Sequence, residues 1–353
     1  MSGFAIDLRS DTVTRPDREM RRAMANAEVG DDVFGEDPTV IRLEAASAGA
    51  TGHESALFVP SGTMANEIAL HVHAPRGSEV ICEAESHVFH YERGGMAALS
   101  GLMPRPLEGE RGLLSAAQVE AVVAPDVIYR APTGVVTLEN TAMSAGGLAA
   151  GPEPQLEVAE VCRRHRIPLH LDGGRVFNAA AALQVEVEEL THFFDSVMFS
   201  LSKGLGAPVG SMLCGSRGFI AAARRVRKLF GGGMRQVGIL AAAGLIALER
   251  GAASLVADHV QAKRLAEALA QMPGIRIDPT GVETNMVVVE VDGEVDGEAE
   301  GKGAPAERLV EALAERRVLA VTLDRKRVRF VTHRDVGPEA IGEAIDRIRG
   351  HLS

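Results

Sequence analysis

Residues 196–215 read SVMFSLSKGLGAPVGSMLCG, and the fold turns on how that stretch divides. The short apolar residues after Asp195 have the composition of a strand, and the Ser, Gly and Pro that follow must turn. Lys203 therefore sits where a strand hands over to a loop. A lysine there has two ordinary uses. Its stem can be buried while the ammonium reaches water. Alternatively the amine is withdrawn from water, which depresses its pKa and makes it a nucleophile towards carbonyls. The stretch by itself leaves both uses open.

Working outward, the same kind of strand recurs as SALFVP (55–60), EVICE (79–83), GVVTLE (134–139) and IPLHLD (167–172). Helical stretches such as MANEIALHVH (64–73) and PQLEVAEVCRRHR (154–166) separate them. This alternation predicts an α/β fold, with a mostly parallel sheet flanked by helices on both faces. The pattern changes after VGILAAAGLIAL (237–248), which reads as a core helix too short to span a bilayer. A long Ala-rich helix around 252–272, strands at NMVVVEV (285–291) and RVRFVTH (327–333), and a closing helix around 338–352 make a smaller C-terminal α+β domain. The expected division is a large domain at 1–250 and a small one at 251–353. Within the latter, DGEVDGEAEGKGAP (292–305) is acidic and glycine-rich with nothing to bury, and reads as a solvated loop.

Composition narrows the function classes. With 46% hydrophobic and 24% charged residues over 353 positions, the chain is an ordinary globular protein. A net charge of -11 and a pI near 5.5 argue against a nucleic-acid partner, which needs clustered Lys and Arg in excess. Cys82, Cys162 and Cys214 are far apart, odd in number and without CxxC spacing, so neither disulfides nor a metal site is expected. The charges in MSGFAIDLRSDT stand where a signal peptide needs its apolar segment. No membrane association and a cytoplasmic location are the expectation.

Ligands of open α/β sheets bind beyond the carboxyl ends of the strands, and four polar clusters fall there. In PSGTMANE (60–67) a strand runs into Ser61, Gly62 and Thr63 at a helix start, which makes either a phosphate site or a plain N-cap. In HLDGGRVFNAA (170–180) Asp172 ends an apolar strand, where burial demands a positive partner. Arg175 supplies one candidate. A protonated pyridine nitrogen is another, and a pyridinium is the electron sink of pyridoxal phosphate. In AESHVFHYERGG (84–95) His87 follows its strand directly, where its ring either covers a flat cofactor or is satisfied by backbone; His90 is less well placed. In RVRFVTHRD (327–335) Arg329 interrupts a strand, as a fork for a carboxylate or as a solvated edge residue.

Taken in order, IDLRSDTVTRP (6–16), GDDVFGEDPTV (30–40), SGTMAN, SHVFHYERGG, LENT (138–141), LDGGRVFNAA, SLSKGLGAPVGS, GGGMRQ (231–236) and VTH (331–333) resemble the low-specificity L-threonine aldolases over nearly the whole length. The resemblance implies fold type I of the pyridoxal phosphate enzymes, with residues 1–20 contributing to the active site. It implies that Lys203 holds the cofactor, Ser61, Gly62 and Thr63 its phosphate, Asp172 its ring nitrogen and Arg175 its phenolic oxygen, with His87 stacked on the ring. It further implies that Ser10 and Arg329 bind the substrate carboxylate, and that Arg235 reaches a neighbouring subunit of a homotetramer built as paired dimers. The implied reaction is retro-aldol cleavage of L-threonine, L-allo-threonine and related β-hydroxy amino acids, with Lys203, His87 and Asp172 catalytic. Two departures stand out. Ala142 occupies the place of a histidine that family members use near the substrate hydroxyl, so a shifted substrate preference or another pyridoxal phosphate-dependent lyase is the alternative. Gly174 replaces a usual alanine, which is expected only to add room.

Overall fold

The computed structural model describes residues 5–125, 127–293 and 303–352. The chain forms two compact units, Met1–Arg15 with Ala253–Ser353, and Pro16–Ala252. The first fifteen residues, which the sequence reading assigned to the large domain, thus belong with the C-terminal segment. The cause is strand pairing: β1 (Ile6–Asp7) lies parallel to the later strand Val318–Leu319, with Ile6 opposite Val318.

The larger unit holds a seven-stranded sheet. Its strands are β2 (Ser55–Val59), β3 (Glu79–Glu83), β4 (Met103–Leu107), β5 (Thr133–Glu139), β6 (Leu169–Asp172), β7 (Ser196–Ser200) and β8 (Ser211–Gly215). Their order is β2-β8-β7-β6-β5-β3-β4. β8 pairs antiparallel with both neighbours and every other pairing in this sheet is parallel. The strands β3, β7 and β8 are buried along their whole length, as a sheet covered on both faces requires. Two strands went unread in the sequence. β4 contains Pro104 and Pro106, which donate no ladder hydrogen bonds and are tolerated because β4 is an edge. β8 follows β7 after a Gly-rich turn and was absorbed into that turn.

Helices cover the sheet where the periodicity placed them. The helix Gly62–His73 begins at Ser61, whose Oγ accepts the Met64 N–H at 3.2 Å, and packs Ala65, Ile68 and Ala69 against Leu57, Met198 and Leu213. The core helix Gly238–Arg250 lies on the helix Pro38–Ala50, so close at Gly244 that a Cβ there would sit 2.9 Å from Leu43 Cδ2. Fully burying Leu43 at that contact is worth about 1.5–3 kcal/mol. Among the described residues no single helix is long and apolar enough to cross a membrane.

The smaller unit carries an antiparallel four-stranded sheet of β9 (Ile275–Arg276), β10 (Met286–Val291), β12 (Val321–Thr322) and β13 (Arg327–Val331), besides β11 (Val318–Leu319). Val287, Val289, Val328 and Phe330 of this sheet pack with Leu265, Leu269, Ile341 and Ile348 of the helices Val256–Leu269 and Pro338–Leu352. Most of the expected solvated loop, residues 294–302, lies outside the described residues.

Candidate active site

Several residues singled out above meet where the parallel strands end. β6 ends on Asp172, the turn after β7 carries Lys203, and the turn after β3 carries His87. The order β7-β6-β5-β3 brings these three together at one sheet edge. Asp172 is 6% exposed; its Oδ1 accepts the Gly174 N–H at 3.1 Å and its Oδ2 accepts Asn66 Nδ2 at 2.9 Å. Burial opposes its ionisation, yet the positive fields of His87 and Lys203 and the Asn66 bond hold it below the usual carboxylate range.

Gly174 leaves room between two of these groups, as expected for it. A Cβ at that position would lie 2.7 Å from Lys203 Nζ and 3.2 Å from Asp172 Oδ1. The amine and the carboxylate thus flank the same point beside Gly174, and a side chain there would only displace the flexible end of Lys203.

His87 opens a short helical turn, and its backbone N–H donates to Glu139 Oε2 at 2.8 Å. Its Nδ1 lies 3.0 Å from Glu92 Oε1 and 4.0 Å from Asp172 Oδ2. Burial disfavours the imidazolium, but the Glu92 hydrogen bond and the charges of Asp172 and Glu92 outweigh it and raise the His87 pKa. Ligand atoms of His87, Glu92 and Asp172 all fall within 4.8 Å of one another. Such a set has metal-binding chemistry, whereas the sequence reading expected no metal; here the histidine serves as the hydrogen-bonding partner of the carboxylates. Glu139, at the end of β5, also accepts the Met143 N–H at 3.1 Å. Burial and the nearby Asp172 charge push its pKa up to about 7.

Ser61 caps the helix Gly62–His73, which is the plain reading of that motif, and the other N–H groups of that helix's first turn have no acceptor within the helix. Gly62 is tightly enclosed, since a Cβ there would meet Met198 Cε at 2.7 Å. Arg175 is buried at the start of the helix Val176–Leu183. Arg235 has a side chain 65% exposed and pairs with Asp31 at 3.0 Å. In the smaller unit, Arg329 Nη2 donates to the Arg9 carbonyl at 3.3 Å, beside Ser10, whose Oγ accepts the Thr12 N–H at 3.2 Å. The two residues read as carboxylate ligands are therefore neighbours within that unit. Ala142 is 2% exposed, its N–H bonded to the Leu148 carbonyl.

Sequence reasoning missed Asn66, Glu67, Glu92 and His170, all buried polar residues around these groups, and the part-buried Glu139. A signal existed for two of them. Asn66 and Glu67 stand between Ala65 and Ile68 on a helix that otherwise buries apolar residues, and a polar side chain there must have partners.

The comparisons with known proteins agree with this geometry. The sequence profile of the Beta-eliminating lyase family matches residues 7–292. Low-specificity L-threonine aldolase 1 of Arabidopsis thaliana is 45% identical over 337 residues, 94% of this chain and 92% of that protein. The low specificity L-threonine aldolase of Escherichia coli K12 is 43% identical over 349 residues, 99% of each chain. The threonine aldolase of Leishmania major superposes with a TM-score of 0.80 at 17% identity, covering 99% of this chain and 100% of that one. Serine palmitoyltransferase of Sphingomonas wittichii, at 18% identity, superposes with a TM-score of 0.74 over 98% and 86% of the two chains, so the fold is shared well beyond the aldolases. The chain belongs to the beta-eliminating lyase family and groups there with the low-specificity L-threonine aldolases.

Proposed function

We propose that this protein is a pyridoxal phosphate-dependent aldolase that cleaves L-threonine, L-allo-threonine and related β-hydroxy amino acids to glycine and an aldehyde. The observation that carries the reading is the meeting of Lys203 with the buried, ionised Asp172 at the carboxyl edge of the sheet. The donor set fits the cofactor. An amine suits its carbonyl carbon, a buried carboxylate its protonated ring nitrogen, an imidazole its face, and a capped helix N-terminus at Ser61, Gly62 and Thr63 its phosphate. Arg175 would stand by its phenolic oxygen. When bound, the cofactor supplies an electron sink for the pair released from the breaking Cα–Cβ bond.

The chain's own residues do the remainder. Arg329, with Ser10, would hold the α-carboxylate in a two-toothed contact. His87 has its Nδ1 committed to Glu92, which leaves Nε2 to take the β-hydroxyl proton. The raised pKa of His87 makes it able to keep that proton until it is needed. Asp172, kept ionised, favours the protonated ring nitrogen.

The protein is further proposed to work as a homotetramer of paired dimers in the cytoplasm, with Arg235 entering a neighbouring subunit's site. Supporting this, the turn at Asp31–Gly35 is bonded to Arg235, and Phe34 and Leu229 nearby are 73% and 70% exposed, an apolar area a second copy would cover. The buried, unpaired Cys82, Cys162 and Cys214 fit a reducing compartment.

Product analysis tests the reading. Incubation with L-threonine is expected to release acetaldehyde and glycine in equal amounts; release of a keto acid and ammonia without aldehyde would assign the site to β-elimination instead.

A further inference from the structure

The side chain of Asn66, on the helix Gly62–His73, is bonded at every position it offers. Its Nδ2 donates to Asp172 Oδ2 at 2.9 Å and to Glu92 Oε1 at 2.9 Å. Its Oδ1 lies 3.0 Å from His170 Nε2. An amide has two donors and one acceptor oxygen, so this arrangement admits one orientation. Turned over, the oxygen would face two carboxylates and the amine would face the imidazole. The orientation fixes what lies behind it. His170 must donate from Nε2, so its Nδ1 accepts from Ser196 Oγ at 2.8 Å, and Ser196 Oγ in turn accepts from His73 Nε2 at 2.7 Å. Burial drives the pKa of His170 down to about 3, with the nearby His73 adding to it, and burial drives His73 down to about 4, so both rings stay neutral and this chain of donors does not change around neutral pH.

On the other side, Glu92 Oε1 accepts from Asn66 and from His87 Nδ1. One side chain thus joins Asp172, which would hold the cofactor's ring nitrogen, to Glu92, the carboxylate bonded to His87. Resting on the pyridoxal phosphate reading above, we propose that Asn66 is a positioning residue which couples Asp172 to the Glu92–His87 pair, holding both carboxylates ionised and aimed through its two N–H donors. Without those donors, two buried like charges face each other, and the cheaper state takes up a proton. The groups that would compete for it are all in view: Lys203 from the turn after β7, His87 and Glu92 from the turn after β3, Glu139 from β5, His170 from β6 and Glu67 beside Glu92. A protonated Asp172 no longer favours a protonated ring nitrogen, so cofactor affinity and its pH dependence both depend on Asn66.

The test uses the full protein and pyridoxal phosphate itself. Asn66→Leu keeps the branched shape and removes both donors, while Asn66→Ser keeps one. The dissociation constant of pyridoxal phosphate is expected to rise ~10-fold or more in Asn66→Leu, the equivalent of one pKa unit at Asp172. The pH at which the bound cofactor's visible absorbance changes should move with it, and Asn66→Ser should recover part of both. A loss of packing alone would lower the melting temperature without moving that pH. Wild-type affinity and an unmoved absorbance titration in Asn66→Leu would overturn the proposal. A wild-type measurement guards against a variant that does not fold: nitrogen NMR of 15N-histidine-labelled protein should show His170 as the neutral Nε2–H tautomer. The Nδ1–H tautomer would overturn the proposal, because the amide would then be reversed. A wild-type protein that binds no pyridoxal phosphate, with His170 in the expected tautomer, refutes the functional reading and not the amide geometry.

Discussion

Ala142 is the residue at which this chain departs from its relatives in a way that bears on substrate. The family resemblance places a histidine there, next to the substrate hydroxyl. In the structure the alanine is buried, and even a Cβ added to Gly112 would lie only 3.0 Å from Ala142 Cβ. A ring does not fit that space without moving the loop at Gly112. Overpacking of this kind typically costs about 1–3 kcal/mol. Ala142→His is therefore expected to lower the melting temperature by several degrees and to leave threonine cleavage no faster than wild type, in thermal melts and in steady-state kinetics with threonine, allo-threonine and phenylserine. A rate gain towards the ~10²-fold lower end of general-base help, confined to threonine and allo-threonine, would show that recognition was lost rather than rebuilt. His87 is the histidine proposed above to take the hydroxyl proton, and it was singled out because it follows a strand directly. Its partner Glu92 was not, since a separation of five residues along an irregular turn has no periodic signature.

Among the elements, the helix Gly62–His73 carries the most chemistry for its length. Its N-terminus is the proposed phosphate site, its Asn66 is the hub of the buried network, and its Glu67 is an anomaly. Glu67 is 2% exposed and neither carboxyl oxygen has a hydrogen-bond partner among the described residues. Burial, with the charge of Glu92 added, raises its pKa from 4.5 to about 8. The folded chain therefore keeps this proton through neutral pH while the unfolded chain releases it. Stability is fully present below pH 4.5 and falls as pH rises towards about 8, by at most ~1.4 kcal/mol per pH unit. Glu67→Gln preserves the shape and cannot ionise. Denaturation across that range should give a flatter stability curve for the variant, crossing above wild type on the alkaline side; parallel curves would contradict the assignment. The apolar positions of this helix were plain in the sequence, and its start at Ser61 also. What the sequence did not reveal is that polar positions of this helix meet groups from β6, β7 and the turn after β3, because those contacts are set by the strand order.

At the scale of the whole molecule, the α/β layering was legible because each β-α step repeats the same two periodicities, and within the seven-stranded sheet only the edge strand β4 and the reversed strand β8 escaped. Prolines concealed the first and a glycine-rich turn the second. The N-terminal segment escaped for a different reason: β1 is two residues long and finds its partner more than three hundred residues away, at Val318. Lys203, by contrast, was marked by its place alone, a cation in a run of small and apolar residues. The account stands on that lysine carrying the cofactor. Borohydride reduction of the protein loaded with pyridoxal phosphate, followed by peptide mass analysis, tests it most directly. The cofactor's mass should be fixed on the peptide containing Lys203, and Lys203→Ala should retain none of it and lose nearly all turnover. A reduced cofactor attached elsewhere, or an equally labelled Lys203→Ala protein, would contradict the account.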